Sequence, residues 1–441
     1  MEKHIPILAG AGGVGLGESR TDHSGRKAIL LVREGDTSEL SALAATMGIE
    51  IIEEIYQSGS PDARGFFGKG RLQDVGDDVS SIVDGHPWKG VDLVIIHSNA
   101  TARQLVTIHN VIGIEIWDRV RLLLALFTSH ASSVEARTQV RIAQLQADRT
   151  ILREVANQQT SGERAGFGGG GQQALQGVIS TVSREIAQLG KRRAKHARAR
   201  TERRRQRRRG GAKTVGLAGY TNAGKSSLFR ALSGKEVLVE DKLFSTLETT
   251  VGRMVASPRI LLADTIGFID ELPSDLLDAF NATLDEALKC DLLLLLADSS
   301  DDEVELRRKL TTSQREIFER TGDDILEMIV VLTKTDNCGD LDTCEAIIKS
   351  LSLPDPVHVS CHTGEGMDIL RDKILQSLYG EKRTIVISDG GVRERAVESL
   401  ISEVYGLGIV VDKDANELTI WCDPSELTKL ISKTKGRISL K

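Results

Sequence analysis

The sequence predicts a multidomain α/β chain: an α/β N-terminal domain with a long helical hairpin, a larger α/β domain, and a small α+β C-terminal domain. Three observations carry this. Apolar runs of strand length alternate with helix-length stretches twice, once before residue 128 and again from Lys213 to Tyr379, as sheets covered by helices require. Prolines vanish between Pro87 and Pro258, which suits long helices, whose interiors exclude proline. Gly210 and Gly211 then break the helical pattern and mark a boundary. A length of 441 residues allows about three domains, and 40% hydrophobic residues supply their cores.

Residues 1–26 are expected to be a flexible segment. Gly10-Ala-Gly12-Gly-Val-Gly15 matches G-x-G-x-x-G, but the polar, glycine-broken stretch after it offers no helix N-terminus to a pyrophosphate, so the match does not read as a dinucleotide site. Residues 27–128 read as a small α/β domain. Aliphatic runs at 27–34 and 91–97 are strands, followed by helices around 38–47 and 100–110. The basic, glycine-rich stretch 64–71 reads as a loop feeding a helix. Residues 129–209 form the hairpin. One apolar stripe holds Ile142, Leu145, Leu152 and Val155, and a second holds Leu175, Val178, Ile179, Val182, Ile186 and Leu189, with a glycine-rich loop at 162–171 between them.

The second helix continues into a dense basic run. Between Lys191 and Arg209 stand twelve Lys or Arg and one acid, Glu202. That is +11 inside a chain of formal charge −6, which leaves −17 on the remainder. A solvated helix face would interleave acids with bases. Here like charges surround the helix, so a polyanion site is expected, most plausibly RNA.

Residues 212–380 alternate strand and helix and carry four motifs in order. Gly219-Tyr220-Thr221-Asn222-Ala223-Gly224-Lys225-Ser226 matches G-x-x-x-x-G-K-[ST], with an apolar strand before it and a helix after it. Its backbone amides and helix N-terminus suit a β-phosphate, Lys225 supplies a point charge to the β and γ oxygens, and the Ser226 hydroxyl suits Mg²⁺. Asp264-Thr265-Ile266-Gly267 ends a strand; its carboxylate can hold a magnesium-bound water and its Gly267 amide can face a γ-phosphate. Thr333-Lys334-Thr335-Asp336 ends another strand. The Asp336 carboxylate can accept from the N1 and N2 donors of guanine, which adenine does not offer, and Lys334 can lie along the base. Ser360-Cys361-His362 fits a last guanine-contacting loop. Together these indicate a guanine-nucleotide switch domain binding GTP and GDP. Residues 384–441 complete the chain as a small α+β domain of strands near 384–387, 409–411 and 418–421 and a helix near 393–405, marginal in size for independent stability.

This combination resembles the HflX family of ribosome-associated, translation-factor-class GTPases, in the Obg–HflX superfamily. The resemblance covers nearly the whole chain and is most specific over residues 219–248. It implies a P-loop GTPase domain with a Ras-like mixed sheet. It also implies Phe244, Ser245, Thr246, Leu247 and Glu248 as a first switch, whose Thr246 hydroxyl ligates Mg²⁺ only when the γ-phosphate is present. Asp264 to Ile269 would be the second switch, and Lys225, Thr246 and Gly267 the groups acting at the γ-phosphate. Phe67-Gly68-Lys69-Gly70 is similar to the glycine-lysine motif of the family's N-terminal domain. Three departures stand out. Thr333 replaces the usual Asn, Leu247-Glu248-Thr249-Thr250 replaces Leu-Asp-Pro-Thr, and the hairpin loop reads Gly166-Phe-Gly-Gly-Gly-Gly171 in place of a Gly-Pro-Gly-Glu signature.

Ras-like enzymes orient the attacking water with a glutamine just after Asp-x-x-Gly; here Phe268 stands there. Slow intrinsic GTP hydrolysis, stimulated by a partner, is therefore expected. The resemblance implies binding to the ribosome, with the large subunit favoured, in subunit separation, rescue or assembly. The basic run would meet ribosomal RNA. Two other readings remain: an RNA-binding assembly factor timed by GTP, and a regulator of an acidic protein or anionic membrane. Membrane insertion is not expected, since the longest apolar run, Leu292 to Ala297, falls far short of about 20 residues. Met1-Glu2-Lys3-His4 does not read as a secretory signal, and five scattered cysteines suggest neither a disulfide framework nor a zinc site. We expect a cytoplasmic protein, monomeric off the ribosome.

Overall fold

The computed structural model describes residues 22–82, 84–131, 133–160, 170–209, 211–234, 250–255, 257–264, 267–268, 288–322, 326–388, 394–414, 416–434 and 437–441. Among these, one compact unit ends at Arg203 and a second begins at Arg204.

In the first unit, β1 (Lys27–Val32), β2 (Glu50–Tyr56), β3 (Val91–Ile96) and β4 (Glu115–Trp117) form a parallel sheet in the order β2-β1-β3-β4. The crossovers are α1 (Ser38–Thr46), α2 (Lys69–Ser80) and α3 (Ala102–Ile112), and α4 (Arg119–His130) follows β4. Strands buried on both faces are aliphatic throughout, and Ile29, Leu31, Val94 and Ile96 are fully buried. The edge strand β2 escapes sequence reading because Glu50, Glu53 and Glu54 interrupt its pattern; Ile55 alone of its side chains is fully enclosed. Residues 22–26, assigned above to the N-terminal segment, belong to this domain. The Gly25 amide donates to Gly48 O at 2.9 Å, and the buried Arg26 pairs with Asp92 at 2.8 Å and Glu115 at 2.7 Å. The matched glycines at 10–15 lie outside the described residues.

Two long helices follow, α5 (Val134–Thr160) and α6 (Gly170–Arg209). α5 buries two faces. Its Ile151 joins the core of the sheet domain, while Leu145, Leu152 and Ala156 pack against Leu175 and Val182 of α6. Arg141 and Glu185 pair across the hairpin at 3.1 Å. The basic run continues α6 as one helix, and Lys191, Arg192, Lys195, Arg198 and Arg205 are exposed along it. Residues 161–169 of the glycine-rich loop lie outside the described residues.

The second unit holds a six-stranded sheet of β5 (Lys213–Gly219), β6 (Thr250–Met254), β7 (Ser257–Asp264), β8 (Leu292–Asp298), β9 (Met328–Thr333) and β10 (Val357–His358). Its order is β10-β9-β8-β5-β7-β6, parallel except where β6 runs against β7. This is the expected mixed sheet. Helices α7 (Lys225–Ser233), α8 (Glu303–Thr321), α9 (Leu341–Ser350) and α10 (Met367–Tyr379) connect it. The leucine run of β8 is the buried centre of that sheet; among the described residues no helix is long and apolar enough to cross a membrane.

Beyond it, β11 (Arg383–Ile387), α11 (Glu394–Leu407), β12 (Ile409–Asp414), β13 (Glu417–Trp421), α12 (Pro424–Lys433) and β14 (Ile438–Leu440) form an antiparallel sheet ordered β12-β13-β11-β14. This is a βαββαβ arrangement. Its small core does not stand alone. Trp421, 4% exposed, completes the hydrophobic core beside Leu375 and Tyr379 of α10, and Lys382 Nζ lies 5.2 Å from the Trp421 ring centre.

Candidate functional site

The site assembles at the carboxyl ends of β5, β7, β8 and β9, where open α/β sheets leave a crevice for ligands. β5 ends at Gly219, whose φ of 151° and close approach to β8 exclude a side chain: a Cβ would meet the Leu296 carbonyl at 2.5 Å. The chain turns through Tyr220, Thr221, Asn222 and Ala223, then Gly224 caps α7 without a side-chain hydrogen bond. The first-turn amides of α7 thus face outward as anion donors.

Lys225 opens that helix and is 7% exposed. Its ammonium donates to Gly219 O at 3.2 Å and Tyr220 O at 2.6 Å. Burial pulls its pKa down to about 8, against the pull of the Asp264 carboxylate. Ser226 Oγ donates to Asp264 Oδ2 at 3.0 Å, and Asp264 is fully buried. A hydroxyl beside a carboxylate is an oxygen pair suited to a small hard cation.

The segment after Asp264 closes over this loop. Phe268 N donates to Gly219 O at 2.9 Å, and Thr221 N donates to Phe268 O at 2.9 Å, which makes a short bridge between Tyr220 and Phe268. Gly267 is pressed against the loop: a Cβ there would lie 2.6 Å from Lys225 Nζ and 2.8 Å from Thr221 N. The Phe268 ring, 3% exposed, is buried with Tyr220, Leu295 and Leu310. It fills the core and does not orient water.

Thr333 replaces a usual Asn, and its surroundings show what the hydroxyl does. At 1% exposure, Oγ1 reaches Ala223 O at 3.0 Å and Ala297 O at 3.1 Å, tying the phosphate loop to β8 and β9. Lys334, at φ 57°, turns the chain out of β9, and its ammonium pairs with Asp298. Thr335 N bonds Val359 O at 3.4 Å, bringing Asp336 beside the loop after β10. A hydrogen bond from the Ser360 side chain holds the exposed Asp336 carboxyl below the usual range, aided by His362 and Lys334. Ser360 Oγ accepts from His362 N at 3.2 Å and Thr363 N at 3.1 Å. Burial pushes the Cys361 thiol up to about 11.

The structure therefore brings together residues 219–226, Asp264, Gly267, Thr333 to Asp336 and Ser360 to His362. Phe244, Ser245, Thr246, Leu247, Glu248, Thr265 and Ile266 lie outside the described residues. Three further residues shape the site that sequence reading did not name. Asp298 anchors Lys334, and Arg308 and Lys309 of α8 lie over the Tyr220 ring at 5.0 and 5.6 Å. An aspartate closing a fully apolar strand was the available signal for Asp298.

Residues 214–334 match a family model described as 50S ribosome-binding GTPase, and residues 34–128 one described as GTP-binding GTPase N-terminal. A relative named GTPase HflX, from Thermococcus kodakarensis, is 34% identical over 385 residues, spanning 83% of this chain and 84% of that protein. GTPase HflX of Gluconacetobacter diazotrophicus is 32% identical over 412 residues, spanning 92% and 87%. A solved GTP-binding protein from Sulfolobus solfataricus, in complex with GDP, is similar over 80% of this chain and 98% of its own, with 26% identity and a TM-score of 0.44.

Proposed function

The chain belongs to the HflX GTPases, and from that premise we propose that it is a ribosome-associated switch that binds and hydrolyses GTP. The observation that carries the switch reading is the seat of Gly267 against Lys225 and Thr221, with no room for a Cβ. A γ-phosphate arriving between these groups has to move the Gly267 backbone, so occupancy is converted into loop position. In this reading the amides of residues 219–226 cradle the β-phosphate, Lys225 neutralises it, and the Gly267 amide faces the γ-phosphate. Asp336 selects guanine, with Lys334 along the base and residues 360–362 closing over it.

The Ser226 and Asp264 oxygens fit Mg²⁺, Ser226 as a direct ligand, with Thr246 as a second. When bound, the ion would neutralise charge on the β and γ oxygens. Hydrolysis by the chain alone is slow in this reading, because the buried Phe268 ring offers nothing to hold water. The ribosome supplies the missing group or orders the loops. Domains at 27–128, 129–209, 212–380 and 384–441 divide the work. The basic run Lys191 to Arg209, exposed at Lys191, Arg192, Lys195, Arg198 and Arg205, meets ribosomal RNA, and the large subunit is the favoured target, in keeping with the family model over residues 214–334. The setting is the cytoplasm.

Cosedimentation with separated subunits, in a non-hydrolysable GTP analogue, in GDP and without nucleotide, tests this. Large-subunit binding confined to the GTP analogue supports it. Binding that is equal in all three states, or absent, overturns the switch reading in favour of an assembly factor or a protein regulator.

A further inference from the structure

Tyr220, the first variable residue of the phosphate loop, is gripped through its side chain by α8. Its ring is buried in one cluster with Phe268, Leu306 and Leu310. The Arg308 guanidinium lies 5.0 Å from the ring centre, and its Nη1 donates to Tyr220 Oη at 3.3 Å. The Lys309 ammonium lies 5.6 Å from the same ring. Both cations are held in turn by carboxylates. Glu305 accepts from Arg308 Nε at 2.8 Å and Nη2 at 2.6 Å, and Asp301 accepts from Lys309 at 2.7 and 2.9 Å. Side chains already fixed in this way lose little further freedom on meeting the ring. Leu306 and Leu310, each 1% exposed, fasten α8 itself to the core.

The backbone of the same residue serves the phosphate site. Tyr220 O accepts from Lys225 Nζ at 2.6 Å. Tyr220 also forms the bridge to Phe268, through Phe268 N to Gly219 O and Thr221 N to Phe268 O, both at 2.9 Å. Phe268 follows directly on Gly267, which the bridge presses against Lys225 and Thr221. A chain of contacts therefore runs from α8 through Tyr220 and Phe268 to Gly267.

We propose that Arg308 is a positioning residue that sets the preference of the site between GDP and GTP. It latches Tyr220, so that the bridge to Phe268 keeps Gly267 against Lys225. This rests on the reading of Gly267 as the group that a γ-phosphate displaces. Gly267 moves only if Phe268 gives up its two bonds to the loop or carries the loop with it. A latched Tyr220 does not follow, so the bridge has to break. That cost falls on the GTP state alone, because GDP leaves Gly267 where it is. Only such a difference between the two states shifts the balance between them. Arg308 matters more than Lys309 because it also bonds the phenol.

Arg308→Met keeps an apolar stem beside the ring and removes the guanidinium. In the full chain it should bind a non-hydrolysable GTP analogue about threefold to tenfold more tightly, with GDP affinity held within about twofold. Tyr220→Phe, which keeps the ring and loses the phenol bond, should shift the ratio in the same direction by less. The Phe268 amide should exchange hydrogen faster in Arg308→Met than in wild type, both with GDP bound. An unchanged affinity ratio in both variants, or an equal change for the two nucleotides, overturns the latch. Exchange at Phe268 in the wild type separates the two readings. If it is the same with GDP and with the GTP analogue, the switch reading fails and the latch with it. If it differs while Arg308→Met leaves the ratio unchanged, only the latch fails.

Discussion

Removing the Thr333 hydroxyl tests how the phosphate loop is held. Thr333→Val keeps the side-chain volume nearly constant, so little cavity or overpacking energy enters. What changes is a hydroxyl that reaches Ala223 O at 3.0 Å and Ala297 O at 3.1 Å in a site 1% exposed. A typical intramolecular hydrogen bond contributes about 0.5–1.5 kcal/mol net, and a buried group left unsatisfied costs about 1–3 kcal/mol. Water does not enter to replace the lost donor at that burial. We therefore expect unfolding free energy to fall by about 1–3 kcal/mol. Because Ala223 lies inside the loop, GDP binding should weaken about tenfold, the equivalent of about 1.4 kcal/mol. Urea denaturation of the nucleotide-free protein and calorimetric titration with GDP measure the two effects. Thr333→Ser, which keeps the hydroxyl, should recover most of both. A valine variant within about 0.5 kcal/mol of wild type and with unchanged GDP affinity would refute the assignment of Thr333 as the tie.

Lys225, drawn down to about 8 from 10.5 by burial, gives a pH signature. The folded, nucleotide-free chain binds fewer protons than the unfolded chain between those values, so this residue adds stability as pH rises through that window. Phosphate restores the charge, so GDP binding should take up a proton and weaken above pH 8; a flat affinity from pH 7 to 9.5 would count against it. Asp148 has the opposite character: burial outweighs Arg121 at 3.7 Å and raises its pKa to about 6. Its stabilising contribution is present below about pH 4 and lost as pH rises through 6. Between pH 5 and 7.5, Asp148→Asn should gain about 1 kcal/mol on wild type in paired melts, and no relative gain would remove Asp148 as the cause. Replacing Lys191, Arg192, Lys195, Arg198 and Arg205 by Gln should lower the log–log salt slope for ribosomal RNA binding by up to about 4. A change of less than one unit would show that the run does not meet phosphates.

Much of this was legible because the signals are local. The aliphatic runs of β1, β3 and β8, the two helical stripes of the hairpin and the glycine-spaced phosphate loop each declare themselves within a few residues. Elements at the margins did not. β2 carries three glutamates because an edge strand leaves half its side chains in water, and β14, three residues long, is short enough to pass for a turn. Residues 22–26 were read as part of a flexible segment. Arg26 is buried only because Asp92 and Glu115, distant in sequence, come to meet it.

The sequence by itself determined which chemistry is available: phosphate-binding amides, Lys225, an Asp-x-x-Gly turn, the Asp336 carboxylate and a basic helix. Periodicity and spacing are enough for that, since each motif lies within one turn or strand end. The tertiary structure decided how the pieces depend on one another. Thr333 ties the phosphate loop to β8, Phe268 bridges to Tyr220 and buries its ring, and Trp421 seats the last domain in a shared core. Those couplings join residues tens to hundreds of positions apart, and only the folded packing brings their atoms within bonding distance.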